Sequence, residues 1–308
     1  METLRRLIPE ETARHALEVI AVNRAHVTVR DVKFLVFADQ EAEPRWVLRC
    51  HHDVSTTDRE ALVLGELQRR GYRVQPELIG QDRCEDMHAQ LLRFCKGRPG
   101  SRHLWRNADA LGKLMSQLAT VHLGLADWAR STFDVPPPTT PDLCDVIERA
   151  GYGGDRAVLA RTLDAARDRL VSANAPALPQ HGDCWMVNVL WNDGEIRILD
   201  WEFFASVFEP FLDTWTFVLS ICEESGERDA ASLFRVSPNA TAAEHAVRCY
   251  AASVGLPPRL GREVFPLVLA RYIYLNARRQ RIGNVRRMCH ILSAYMTAPR
   301  SFMTGLEA

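Results

Sequence analysis

The residue pattern of this chain changes once, near residue 100, and that change limits the folds open to it. Before it, short segments rich in β-branched and aromatic residues, such as residues 26–38 and 45–50, predict strands. After it, apolar residues recur at helical spacing, most clearly over residues 108–126. Between them, CKGRPGS (residues 95–101) is rich in glycine and proline and marks a hinge. The pattern predicts an α+β chain of two lobes with a ligand cleft between them.

The lobes are placed at residues 1–95, the small strand-rich N-lobe, and 96–308, the larger, mostly helical C-lobe. Local signals add detail within the first of these. Residues 9–21 predict a short helix, and residues 58–70 predict a helix that stops at Gly71. Further strands are predicted at residues 74–79 and 90–95.

Composition argues against several classes of partner. The formal net charge is −1, so nothing in the overall charge favours a nucleic-acid partner. No run of about 18 apolar residues predicts a membrane span, and the first residues do not read as a signal peptide. The cysteines form no Cys-x-x-Cys pair, which favours reduced thiols. We therefore expect a cytoplasmic protein with neither a nucleic-acid nor a membrane partner, and the sequence leaves its oligomeric state open.

The block from Gln180 to Trp215 holds the residues that indicate chemistry. In chain order they are His181-Gly182-Asp183, Asn188, the turn Asn192-Asp193-Gly194 and Leu199-Asp200-Trp201-Glu202. Phosphoryl transfer to a hydroxyl needs a carboxylate for the alcohol proton, and a carboxylate and an amide oxygen to hold Mg²⁺. Asp183, Asn188 and Asp200 supply that set. The Asp-Gly turn predicts a hairpin that brings Asp200 back beside the loop at Asp183.

This block resembles the aminoglycoside phosphotransferase family, which includes the choline and thiamine kinases and shares the protein-kinase fold. The resemblance implies a two-lobed protein-kinase-like fold. It also implies that Asp183 is the catalytic base or positions the alcohol, and that Asn188 and Asp200 are Mg²⁺ ligands. His181 and Asp213 would support the catalytic loop. By the same resemblance the donor is ATP or GTP, and the acceptor is a hydroxyl of a small molecule of aminoglycoside, amino alcohol or sugar type.

The resemblance extends into the first 95 residues. Residues 46–49 (WVLR) look like the strand that carries the phosphate-binding lysine of kinases, with Arg49 in its place and Glu60 as its ion-pair partner. A guanidinium can bind phosphates through two parallel hydrogen bonds. Residues 91–95 match the strand whose backbone binds the base, so Arg93 and Cys95 are assigned to the nucleotide site. Residues 20–38 contain no glycine, whereas glycine makes close approach of a phosphate easiest.

Two charge patterns predict opposite acceptors. The acidic residues after the metal-binding strand suit a cationic acceptor: Glu209, Glu223, Glu224, Glu227 and Asp229. From Val264 to Leu306, however, there is no acidic residue, and the charged side chains suit a phosphorylated or carboxylated acceptor: Arg271, Arg278, Arg279, Arg281, Arg286, Arg287 and Arg300. Tyr272, Tyr274 and Trp215 are candidate aromatic contacts. The sequence does not choose between these patterns.

Two other functions stay open. A nucleotide-binding regulatory pseudokinase with little or no turnover would fit the glycine-free segment and Arg49. A protein kinase fits less well, because no Asp-Phe-Gly or Ala-Pro-Glu motif accompanies Asp200.

Overall fold

A computed structural model describes residues 1–22, 31–84, 87–224 and 237–297. The chain divides into two compact units. Unit 1 combines Met1–Arg98 with Asn188–Phe203, and unit 2 combines Pro99–Val187 with Phe204–Ala308. Part of the glycine-free segment (residues 23–30), together with Glu227, Asp229 and Arg300, lies outside the described residues.

Unit 1 is built on a five-stranded antiparallel sheet with strand order β1-β2-β3-β5-β4. Its strands are β1 (Leu17–Val22), β2 (Asp31–Ala38), β3 (Trp46–His51), β4 (Leu78–Cys84) and β5 (Met87–Arg93). Val36, Trp46, Leu48 and Leu91 form its core. Helix α1 (Glu2–Leu7) adds Leu4 to this core and packs against β4.

The helix predicted over residues 9–21 is wrong in its second half. Helix α2 (Pro9–Arg14) stops at Arg14, and Leu17–Val22 forms β1, paired from Leu17 opposite Ala38 to Val22 opposite Lys33. Val19, Ile20 and Val22 are partly exposed, so this segment has no apolar helical face to bury. Its β-branched residues suit a strand, and the backbone ladder to β2 decides the conformation.

Helix α3 (Val54–Arg69) carries a polar residue on its buried face. The side chain of Asp53 caps the helix by accepting from the amides of Ser55 and Thr56. Glu60, Leu64 and Leu67 are buried, at the spacing of one helical face. The fold therefore holds a carboxylate inside unit 1, where it needs a partner.

The predicted hairpin is present. It comprises β7 (Val189–Asn192) and β8 (Glu195–Ile198), and Asp193 and Gly194 at its turn both have positive φ, as a type I′ turn requires. The amide of Ile198 donates to the carbonyl of Val74, which ties the hairpin to the rest of unit 1. Short 3₁₀ turns flank it at Met186–Asn188 and Trp201–Phe203. The two-residue strand β6 (Arg98–Pro99) stands where the chain passes from unit 1 to unit 2.

Unit 2 is helical. Its helices are α4 (Arg102–Trp105), α5 (Ala108–Thr132), α6 (Thr140–Arg149), α7 (Arg156–Ser172), α8 (Leu212–Glu224), α9 (Pro238–Val254), α10 (Pro258–Glu263), α11 (Phe265–Arg278) and α12 (Ile282–Thr297). The long helix α5 packs along α9, and the largely buried α11 contacts α6, α7, α8 and α12. Among the described residues, no helix has both the length and the apolar character needed to cross a membrane.

Candidate active site

A buried arginine organises the polar site of unit 1. Strand β3 directs Arg49 toward α3, where its Nη1 donates to both carboxylate oxygens of Glu60, at 2.8 and 2.6 Å. The same nitrogen lies 3.2 Å from Oδ1 of Asp200, and Nη2 lies 3.5 Å from Oε2 of Glu202. Only 7% of the Arg49 side chain is exposed. Three carboxylates thus surround one guanidinium.

These carboxylates keep the guanidinium charged. Burial alone lowers the pKa of Arg49, but the charges of Glu60, Asp200 and Glu202 outweigh it and raise the pKa above its usual value. Glu60 also accepts from the amide of Trp201, at 3.1 Å. The pair Arg49–Glu60 therefore fixes the segment that contains Asp200.

Lys33 is a second cation in this cluster, and it was not among the residues predicted from the sequence. Its Nζ lies 3.3 Å from Oδ1 of Asp200, and on the sheet Lys33 stands directly opposite Arg49. Cross-strand neighbours share one face of a sheet. The place of Lys33 follows from the pairing of β2 with β3, which no local sequence pattern reveals. Glu202 was named in the block around Asp200, but its contact with Arg49 was not predicted.

Asn188 and Asp200 lie at the same end of the β7–β8 hairpin. The carbonyl of Asn188 accepts from the amide of Leu199, at 2.8 Å, one residue before Asp200. Asp200 itself has φ of 59°, the left-handed region that non-glycine residues adopt rarely and that often marks a functional position. An amide and a carboxylate side chain therefore start from adjoining backbone positions in one unit. Such oxygen ligands suit a hard cation such as Mg²⁺.

In unit 2, Asp213 holds the loop at His181. It stands in the first turn of α8, is fully buried, and accepts from the backbone amides of His181, at 2.5 Å, and Gly182, at 2.9 Å. Gly182 has φ of 83°, which glycine adopts without strain. The amide of Asp183 in turn lies 3.3 Å from Nδ1 of His181. The loop is thus fixed on both sides of Gly182.

A histidine behind Asp213 extends this network. Nε2 of His122, on α5, lies 3.0 Å from Oδ2 of Asp213, and its Nδ1 lies 2.9 Å from the hydroxyl of Tyr250. Burial alone raises the pKa of Asp213, but the hydrogen bond and charge of His122 and the amide of Gly182 bring it below its usual value. This role of His122 was not predicted from the sequence. The available signal was one histidine among the apolar residues of the buried face of α5.

Asp183 is buried and forms an ion pair with an arginine. Nη1 of Arg281 lies 2.9 Å from Oδ2 of Asp183, and Asp183 is 6% exposed. Nearby, the ring of Trp185 stacks on Tyr272 with 6.2 Å between centroids, and its Nε1 donates to the Tyr272 hydroxyl. Burial, followed by the charge of Asp183, raises the pKa of Tyr272. The sequence analysis named Arg281 and Tyr272 only as members of larger sets.

Arg93 and Cys95 occupy a different part of unit 1. Arg93 is paired with Trp46 in the sheet, and its Nε donates to Glu77 at 3.1 Å. With Cys95 it lines a cavity of about 660 Å³. The structure thus brings together Arg49, Glu60 and Asp200, with Asn188 beside them, and separately His181, Asp183 and Asp213.

Comparison with known proteins identifies the family. A model described as "Phosphotransferase enzyme family" matches residues 29–247, more than half of the chain, so the chain belongs to this family. Its membership confirms the prediction that the chain is a phosphotransferase. Comparison with curated proteins finds no match.

Solved structures resemble the whole chain. Choline kinase from Cryptosporidium parvum Iowa II is 15% identical with a TM-score of 0.58, over 96% of this chain and 90% of that one. A thermostable mutant of aminoglycoside phosphotransferase APH(4)-Ia, in complex with ADP and hygromycin B, is 13% identical with a TM-score of 0.54, over 97% and 99%. Aminoglycoside phosphotransferase APH(3'')-Id from Streptomyces rimosus, with ADP and streptomycin, is 16% identical with a TM-score of 0.53, over 86% and 96%. These similarities confirm the predicted α+β, protein-kinase-like fold.

Proposed function

We propose that this phosphotransferase moves the γ-phosphate of ATP or GTP to a hydroxyl of a small acceptor. The observation that carries the proposal is the cluster in unit 1, where Asn188 and Asp200 adjoin each other beside the Arg49–Glu60 pair. The family assignment and the ADP-bound structures of similar proteins support it.

Asn188 and Asp200 are assigned to Mg²⁺, which would bridge phosphate oxygens and neutralise the charge that develops during transfer. Mg²⁺ is usually bound through one or two carboxylates plus phosphates and water, and the side chain of Asp200 supplies one such carboxylate. Three carboxylates against the two cations Arg49 and Lys33 also leave an excess of negative charge near Asp200.

Arg49 is assigned to the α- and β-phosphates of the donor. Its pairing with Glu60 holds the guanidinium in one position. The Glu60 carboxylate also offsets the cost of burying the positive charge of Arg49. Arg93 and Cys95 are assigned to the segment whose backbone binds the base. The support is that Arg93 ends β5 opposite Trp46, on the strand that carries Arg49, and that Cys95 follows Arg93 by two residues.

Asp183 is assigned to the acceptor hydroxyl. In the reaction the O–H bond breaks and the proton goes to a carboxylate oxygen of Asp183, while the hydroxyl oxygen bonds the γ-phosphorus and the nucleoside diphosphate leaves. The loop must hold Asp183 still for this step. Asp213 supports that by binding the two amides before it, and His181 supports it from within the loop.

The test compares two substitutions with one control. Asp183→Asn should lower acceptor turnover by about 10²–10⁴-fold while Mg²⁺-nucleotide binding, measured by calorimetry, stays unchanged. Asp200→Asn should weaken nucleotide binding in Mg²⁺ but not in EDTA. Asp127→Asn, an almost fully exposed aspartate on α5, should change neither.

The outcomes separate the two functions considered. Nucleotide binding without turnover of any acceptor would favour the regulatory pseudokinase. Full turnover by Asp183→Asn would show that another group accepts the proton.

A further inference from the structure

The structure places the guanidinium of Arg281 beside Asp183, the residue assigned to the acceptor hydroxyl. Nη1 of Arg281 lies 2.9 Å from Oδ2 of Asp183. The backbone fixes where this side chain starts, because Arg281 follows Gln280, which has φ of 57°, and its amide donates to the carbonyl of Asn276 at 3.0 Å. The turn between α11 and α12 thus presents a guanidinium to Asp183.

Helices α11 and α12 carry no carboxylate. In these two helices and the turn between them, the described charged side chains apart from His290 are all arginines: Arg271, Arg278, Arg279, Arg281, Arg286 and Arg287. Of the acidic candidates for a cationic acceptor, Glu209 is already paired. Nε of Arg271 donates to it at 2.6 Å, and the Arg271 side chain is only 3% exposed. The two predicted charge patterns therefore neutralise each other at Arg271, whereas Arg281 pairs with Asp183, the residue assigned to the acceptor hydroxyl.

An ammonium group that contacts the guanidinium of Arg281 would be repelled by it, because like charges repel at close range. A carboxylate or phosphate that contacts the same guanidinium would be attracted. A guanidinium presents five N–H donors in a planar fork, so one arginine can hold Asp183 and an anion together. Arg281 can also orient the carboxylate of Asp183, which receives the proton.

We infer that the acceptor carries an anionic group, a carboxylate or a phosphate, which Arg281 binds next to the hydroxyl that is phosphorylated. This inference rests on the proposed function. It favours a phosphorylated or carboxylated acceptor, such as an acidic sugar or a hydroxy acid, over aminoglycosides and amino alcohols. Trp185 follows Asp183 by two residues and is half-buried. Its ring offers a surface against which the carbon skeleton of the acceptor can pack.

The experiment uses acceptors that differ only in charge. One set is glucose, glucuronate and glucosamine, and a second is glycerol, glycerate and 2-amino-1,3-propanediol. Release of nucleoside diphosphate with Mg²⁺-ATP and Mg²⁺-GTP gives kcat/KM for each, and a thermal shift at 10 mM acceptor reports binding without turnover. In at least one set, the anionic member should exceed the cationic member by about tenfold or more.

Variants of Arg281 test the residue itself. Arg281→Glu should remove or invert the preference for the anionic member, and Arg281→Lys should keep the preference with a higher KM for the acceptor. The KM for nucleotide should stay unchanged in both. The matched control is Arg161→Glu, the same charge change at an exposed position on α7, which should leave the preference as in the wild type.

Three results would overturn the inference. They are a preference for the cationic members, no response in either readout to any anionic member, and a rise in kcat for all acceptors in Arg281→Ala, which would make Arg281 an obstruction. Each leaves the proposed function intact if Mg²⁺-nucleotide still binds and turnover depends on Asp183. Loss of nucleotide binding by the wild-type protein would instead refute the proposed function.

Discussion

Asp213→Asn should destabilise unit 2 strongly, although it only replaces one carboxylate oxygen with an NH₂ group. The carboxylate accepts two backbone amides, from His181 and Gly182, and lies 3.0 Å from Nε2 of His122. An amide side chain can keep one oxygen toward these donors but must turn its NH₂ group toward another donor. Hydrogen bonds to a charged group are worth about 1.5–3 kcal/mol each, and disrupting a buried pair costs about 3–5 kcal/mol. We expect a loss of about 3–5 kcal/mol.

Urea unfolding followed by circular dichroism measures this loss. With a slope of about 3 kcal/mol per molar urea, the midpoint should fall by about 1 M or more. Asp127→Asn makes the same chemical change in an exposed pair with Arg130 and should leave the midpoint unchanged, since exposed pairs contribute little. If the two variants unfold at the same midpoint, Asp213 does not brace the loop and the reasoning fails.

The difference in unfolding free energy between the wild type and Asp213→Asn should change with pH in one direction only. The pKa of Asp213 is lowered in the folded protein from a reference of 3.8. Its stabilisation is therefore complete above that reference and is lost as the pH falls through the lower, folded value. The difference in unfolding free energy between wild type and Asp213→Asn should be constant near neutral pH and should shrink below about pH 4. A difference that grows on acidification would contradict the assignment.

Further predictions concern other parts of the fold. Glu60→Gln should reduce nucleotide affinity by about tenfold, because Arg49 loses its closest carboxylate and with it a fixed position; unchanged binding by calorimetry would count against the phosphate role. Cys184 should resist thiol reagents at neutral pH in the native protein, because burial and the nearby Asp213 and Asp183 raise its pKa; rapid labelling of this residue, mapped by mass spectrometry, would disprove that. Asn107→Ala should cost about 1 kcal/mol by urea unfolding, because Asn107 caps α5 through the amides of Asp109 and Ala110.

Local signals predicted the elements that short-range chemistry determines. The hairpin followed from Asp193-Gly194, where both residues must adopt positive φ. Helix α5 followed from apolar periodicity, although it extends to Thr132, beyond the predicted residue 126. Strand β1 did not follow, because its conformation depends on pairing with β2, and no local window contains both partners.

The site shows the same division between local and long-range information. Asp183, Asn188 and Asp200 are close in sequence, so their spacing alone identifies them as a set. Lys33 meets Asp200 across 167 residues, and His122 meets Asp213 from another helix. Neither contact leaves a pattern in a single sequence. The Arg281–Asp183 pair spans 98 residues and was equally hidden.

Unit 1 is built from two separate stretches of the chain, so during synthesis on the ribosome it cannot be completed until the second stretch is made. Its first stretch ends at Arg98 and its second begins at Asn188, so roughly 90 residues must be synthesised between them. At about 5–20 residues per second, the nascent sheet waits several seconds for its hairpin. Until then Arg49 and Glu60 lack Asp200, and Val74 lacks the amide of Ile198. A fragment released early, ending at residue 98, would therefore expose the residues of α3 that contact the Trp201–Phe203 turn in the complete chain and would be a natural target for chaperones.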